Sequence, residues 1–148
     1  MNIAGIQWPV FNPYHKPTVE IYISGCNKKC KGCHNPELQN HEFGKPLNIE
    51  ELIKYLKDRE DLFEIISITG GDLLVHSEEE IWGLIGGLGE QFLTKELWLF
   101  TGYEFKEIPE IVKEWFDKIK ISCYNEELKQ EGFPASSNQQ LLIKGKDY

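Results

Sequence analysis

Four times along the chain a short β-branched, apolar segment runs straight into a loop of unusual composition, and helical patterns separate these segments. In "TVEIYIS" (Thr18–Ser24), Val19, Ile21 and Ile23 share one face, which predicts a strand. "FEIISIT" (Phe63–Thr69), "ELWLFTG" (Glu96–Gly102) and "KIKIS" (Lys118–Ser122) predict three more, and "QQLLIK" (Gln139–Lys144) a fifth. After the first strand, "LNIEELIKYLKD" places Ile49, Leu52, Ile53 and Leu56 on one helical stripe, with Asn48 as N-cap and Glu51 three residues on. "SEEEIWGLIGGLGEQF" has Ser77 and Glu80 at capping-box spacing, then Ile81, Leu84, Ile85 and Leu88 on a helical face; its four glycines oppose a helix on propensity. "IPEIVKEWF" predicts a helix with Pro109 near its first turn. This alternation predicts an α/β fold around a largely parallel sheet. With 148 residues and no repeat, low-complexity tract or linker, the chain reads as a single domain, 1–148.

Parallel sheets bind ligands at the carboxyl ends of their strands. The residues with chemical potential follow that rule: the cysteine loop ends the first strand, Gly70-Gly71-Asp72 the second, Thr101-Gly102-Tyr103 the third, and Cys123-Tyr124 the fourth. Topology therefore gathers distant segments on one rim. The cysteine loop, "GCNKKCKGCHN" (Gly25–Asn35), puts Cys26, Cys30 and Cys33 at C-x3-C-x2-C spacing. A structural zinc wants four protein ligands, usually as two separated pairs. Only one C-x2-C pair is present, and His34, adjacent to Cys33, is badly placed to share an ion with it. An iron–sulfur cluster prefers thiolates, and three local ligands leave one iron free for a substrate or cofactor. Zinc binding and three free thiols remain the other readings of the loop.

The net charge of −8 argues against a nucleic-acid groove, which needs clustered Lys and Arg. No apolar run approaches the roughly 18 residues of a membrane helix, and the first residues lack the pattern of a signal peptide. The expected compartment is the reducing cytoplasm, where clustered cysteines serve as ligands or redox groups more often than as structural disulfides.

The cysteine loop resembles the signature of radical S-adenosylmethionine (SAM) enzymes, and among them the glycyl-radical activating enzymes, above all the small activators of anaerobic (class III) ribonucleotide reductases. "SGCNKKCKGCHN", "ITGGD", "LWLFTGY" and "SSNQQLL" carry the resemblance, which spans nearly the whole chain. It implies an incomplete TIM-like β/α barrel, since a complete one takes about 250 residues. It also implies that Cys26, Cys30 and Cys33 bind a [4Fe–4S] cluster and that SAM chelates the open iron. Reductive cleavage of SAM then gives a 5′-deoxyadenosyl radical, so no side chain is itself catalytic. On this reading Gly70 and Gly71 let the backbone approach the methionine end of SAM, and Asp72 accepts from its ammonium. Thr101, Tyr103 and Asn138 complete the SAM site, with Gln139 beside them, and His34 and Asn35 order the loop by hydrogen bonds. The implied partners are a glycyl-radical enzyme, an anaerobic ribonucleotide reductase, and a flavodoxin or ferredoxin as electron donor. Lys28, Lys29 and Lys31 read as a solvated loop face or as a docking patch for that donor.

The chain departs from the activator pattern at Asn12–Pro17, Leu73, Ser122-Cys123 and Pro134-Ala135. These departures motivate a second reading, a small radical SAM enzyme acting on a peptide or purine-like molecule; a third is a non-enzymatic iron–sulfur or zinc module. Cys123 reads as a buried strand cysteine, or alternatively as a rim thiol near the cluster.

Overall fold

The computed structural model, which describes residues 1–148, places a strand in each of the five segments marked by apolar patterning. These are β2 (Thr18–Ile23), β4 (Ile65–Gly70), β5 (Glu96–Phe100), β6 (Lys118–Ile121) and β7 (Gln140–Ile143). Two further strands, β1 (Asn2–Val10) and β3 (Lys45–Pro46), escape the pattern. In β1 the pairing with β2 slips between Ile3 and Gly5 and again between Gln7 and Val10, so its apolar residues lose their period of two. β3 is too short to have a period.

All seven strands form one open mixed sheet in the order β3-β1-β2-β4-β5-β6-β7, with β3 and β7 as its edges. β2, β4, β5 and β6 run parallel; β1, β3 and β7 pair antiparallel on the flanks. The three helices, α1 (Ile49–Lys57), α2 (Glu78–Gln91) and α3 (Glu110–Trp115), are the crossovers between successive parallel strands. Because those strands are laid down in spatial order, crossovers of one hand put every helix on the same face.

Register explains the core. Ile21, Ile68, Leu99 and Ile119 stand opposite one another across the four parallel strands, and each is at most 1% exposed. Leu52 and Leu56 of α1, Leu84 and Leu88 of α2, and Val112 of α3 pack against this face in one cluster of 21 buried residues. The predicted helix starts are present: the Asn48 side chain accepts from Glu51 N at 3.1 Å, and Ser77 and Glu80 form a complete capping box. The glycines of α2 are a packing device. A Cβ at Gly87 would press on Ile49 of α1, and one at Gly89 would collide with the Trp115 ring of α3.

The second sheet face is different. Glu20, Ser67 and Trp98 form its middle row. The N-terminal loop lays Tyr14 over them, its hydroxyl donating to Glu20 and lying 3.1 Å from Ser67 Oγ. Two residues nearer the carboxyl rim, on this same face, stand Thr69, Phe100 and Lys120.

Candidate functional site

The cysteine loop leaves β2 and is stitched down at its base. Gly25 N donates to Leu38 O at 2.7 Å and Cys26 N to Gln39 O at 3.3 Å, so the short turn at Pro36–Gln39, anchored by buried Leu38, closes the loop on itself. From the other side, Gly71 N donates to Ile23 O and Asp72 N to Gly25 O, both at 2.7 Å. This is what Gly70 and Gly71 are for locally. Gly70 has φ +107°, and a Cβ on either residue would strike the backbone of β2 or of Gly25.

Asp72 ties three strand ends together. Its carboxylate accepts from Leu74 N at 3.1 Å, from Thr101 Oγ1 at 2.9 Å and from Gly102 N at 2.7 Å. Burial pushes the Asp72 carboxyl up, while the N–H groups of Gly102 and Leu74 and the Thr101 hydroxyl pull it back. The resemblance implies that Asp72 accepts from the SAM ammonium; in the structure both oxygens already accept hydrogen bonds from the fold.

These ties shape a cavity of about 270 Å³ at the carboxyl rim. Cys26, Cys30, Cys33, His34 and Asn35 form one wall; Gly70, Gly71, Asp72, Thr101 and Gly102 form another. Tyr103 and Asn138 are outside this lining. The Tyr103 ring lies 4.0 Å under the Lys28 ammonium, and Asn138 Nδ2 donates to Cys123 O at 2.9 Å. Gln139 does line the cavity, its Nε2 donating to Ser122 O at 3.0 Å. Of the two residues expected to order the loop by hydrogen bonds, Asn35 makes one and His34 packs instead. The His34 ring packs 4.6 Å from that of Tyr124, and Asn35 accepts Leu38 N through its backbone carbonyl.

The sequence reading missed Lys120. It lines the cavity from β6 with its ammonium 5.1 Å from the centre of the Phe100 ring, and it has no hydrogen bond or ion pair. Burial lowers it to about 8, with the nearby Asp72 charge pulling the other way. A lysine midway along a predicted strand carries no motif that marks it as a site residue. Only its alternation with Ile119 and Ile121, which face the helices, assigns it to the opposite face.

The loop brings three sulfur atoms to one cavity, but not as a closed set. Cys26 and Cys33 are free thiols, and Lys28 N donates to Cys26 Sγ at 3.4 Å. Cys30 is joined to Cys123 by a disulfide, with Cα atoms 6.2 Å apart. Cys123 is therefore a half-buried rim residue, which corrects its reading as a buried strand cysteine. No three His, Cys, Asp or Glu side chains converge tightly enough for a single ion. The donor set fits an iron–sulfur cluster: three cysteines on one loop wall and no competing carboxylate, since Asp72 is engaged. It requires only that Cys30 be released from Cys123.

Comparison with known proteins agrees with this geometry. The family described as a 4Fe-4S single cluster domain matches residues 18–142. The anaerobic ribonucleoside-triphosphate reductase-activating protein of Enterobacteria phage T4 is 29% identical over 134 residues, 87% of this chain and 85% of the relative. Its namesake in Escherichia coli (strain K12) is 27% identical over 106 residues, 68% of each chain. The pyruvate formate-lyase-activating enzyme of Clostridium pasteurianum is 34% identical over 62 residues, 39% of this chain and 26% of the relative.

Proposed function

The chain belongs to the 4Fe-4S single cluster domain family, and from that premise we propose that it is a radical SAM activase of an anaerobic ribonucleotide reductase. It is an oxidoreductase whose cofactors are a [4Fe–4S] cluster and SAM, in keeping with the named activities of its relatives. The observation that carries the reading is the incomplete donor set on the rim: three loop cysteines and no fourth cysteine in the loop.

Cys26, Cys30 and Cys33 would hold the cluster. When bound, it would supply the electron for reductive cleavage of SAM, the chemistry by which a hydrogen atom is removed from a glycine of the partner. The rest is positioning by this chain. Gly70, Gly71 and Thr101 form the wall along which the methionine end of SAM lies. Asp72 holds that wall in place through Thr101 and Gly102 rather than touching SAM. The free Lys120 ammonium, on the cavity wall, would pair with the SAM carboxylate in a charge-assisted contact. Phe100 and Phe133, stacked 5.5 Å apart on the cavity wall, give the adenine an apolar surface.

The open mixed sheet with its helices on one face supports a reading as a partial β/α barrel of the radical SAM type. The cavity at the carboxyl rim admits a glycine-bearing loop of a large partner. Lys29 and Lys31 are exposed on the cysteine loop, where a flavodoxin or ferredoxin would deliver the electron. The setting is the reducing cytoplasm that the thiol usage implies. No helix is long and apolar enough to cross a membrane.

The test is anaerobic reconstitution with iron and sulfide, followed by EPR of the reduced protein with and without SAM. The expected result is a cluster signal that SAM alters, release of 5′-deoxyadenosine, and a glycyl-radical doublet on the cognate reductase. Absence of SAM binding would leave an electron carrier instead. SAM cleavage with no radical on any cognate reductase would overturn the partner.

A further inference from the structure

Cys123 lies 93 residues from Cys30 in sequence, yet the fold delivers its sulfur to the cysteine that sits mid-way along the cluster loop. The delivery is braced. Ser122 N donates to Tyr103 O at 3.0 Å, Gln139 Nε2 to Ser122 O at 3.0 Å, and Asn138 Nδ2 to Cys123 O at 2.9 Å. Three hydrogen bonds from two segments, the turn after β5 and the stretch leading into β7, thus hold the end of β6 under the loop. On the loop side, Cys30 O accepts from Cys33 N at 3.0 Å, which orients Cys30 toward the rim. Both cysteines are half-buried, so a small disulfide or dithiol can reach them.

A sulfur bonded to another sulfur is not a thiolate and cannot serve as an iron ligand. The Cys30–Cys123 bond and the ligand set Cys26, Cys30, Cys33 are therefore mutually exclusive states of one chain. We propose that Cys123 is a resolving thiol for Cys30: in the cluster-free chain the two close a disulfide that bars cluster loading until a dithiol opens it. The loading half rests on the [4Fe–4S] reading above; the pairing half does not.

The chemistry balances with a low-molecular-weight disulfide, RSSR, as oxidant. Cys30 thiolate attacks RSSR, forming a mixed disulfide and releasing one RSH. Cys123 thiolate then attacks the Cys30 sulfur, and the second RSH leaves. The two thiol protons end on the two RSH molecules. A dithiol reverses the sequence and is itself oxidised to a disulfide. Cys26 and Cys33 remain thiols throughout, as they are in this structure.

The experiment uses the full chain stripped of iron, oxidised with glutathione disulfide, alkylated and mapped by mass spectrometry. The expected map links Cys30 to Cys123 and shows Cys26 and Cys33 alkylated. In Cys123→Ser, which leaves the loop cysteines intact, Cys30 is expected to stop at the glutathione adduct. The oxidised wild-type chain should take up about tenfold less iron and sulfide than the same sample after dithiol treatment. A dominant link within the loop, free Cys30 and Cys123 in the oxidised wild type, or equal loading with and without dithiol would overturn the proposal. A dithiol-reduced chain that takes up no cluster overturns the cofactor reading and the loading half with it, while the disulfide map still decides the pairing.

Discussion

Both carboxylate oxygens of Asp72 are taken up by its own chain, and this gives the residue a measurable structural weight. Asp72→Ala would leave the Leu74 and Gly102 N–H groups and the Thr101 hydroxyl without their acceptor in a buried setting. A loss of about 3 kcal/mol of unfolding free energy is expected, read from denaturant melts. Lys120 is the opposite case, a half-buried cation whose ammonium has no partner of its own. Its folded value of about 8 lies below the ordinary 10.5, so the unfolded chain binds the proton more tightly between those limits. The penalty is full below pH 8, and stability should climb as pH rises from about 8 toward 10.5. Lys120→Met should remove that climb and raise stability at neutral pH. The same variant should weaken SAM binding about tenfold in calorimetry, the loss of one charge-assisted contact. In the wild type, SAM affinity should fall as pH passes above about 8, where the ammonium loses its proton. A Lys120→Met protein with unchanged SAM affinity would remove the carboxylate contact.

At the scale of the element, α2 shows why propensity misjudges this helix. Gly83 has open space where a Cβ would go, whereas a Cβ at Gly89 collides with the Trp115 ring. Gly83→Ala should therefore stabilise by up to about 1 kcal/mol, the ordinary glycine-to-alanine gain in a helix. Gly89→Ala should destabilise by about 1–3 kcal/mol despite the same propensity gain, because overpacking outweighs it. Thermal melts of the two variants should move in opposite directions. The N-caps, by contrast, were legible, since Asn48 and Ser77 act within one turn of chain. β1 was not, because its irregular pairing scrambles the alternation that marks a strand.

For the whole molecule, the division of the sheet into two faces separates stability from chemistry. The 21-residue core lies between one face and the helices and contains no residue of the cysteine loop. Removing iron by anaerobic chelation should thus leave far-UV circular dichroism unchanged and the melt cooperative. The loop alone should gain protease sensitivity. A chain that unfolds on chelation would make the cluster part of the core. The other face carries the cavity at its rim, and the sheet is left open at the edges β3 and β7.

Local and periodic features were readable along the chain: five strands, three helices, two N-caps, and the gathering of the cysteine loop, the Gly-Gly-Asp turn and Thr101 on one rim. Each depends on spacing within a few residues or on the rule that parallel strands share a carboxyl end. Three-dimensional packing assigned the remainder. It turned Asp72 inward to its neighbours, brought Lys120 into the cavity, left Tyr103 and Asn138 outside it, and set Cys123 against Cys30. These are contacts between segments 15 to 93 residues apart. No periodicity encodes them; they follow from strand register and from which face each side chain takes.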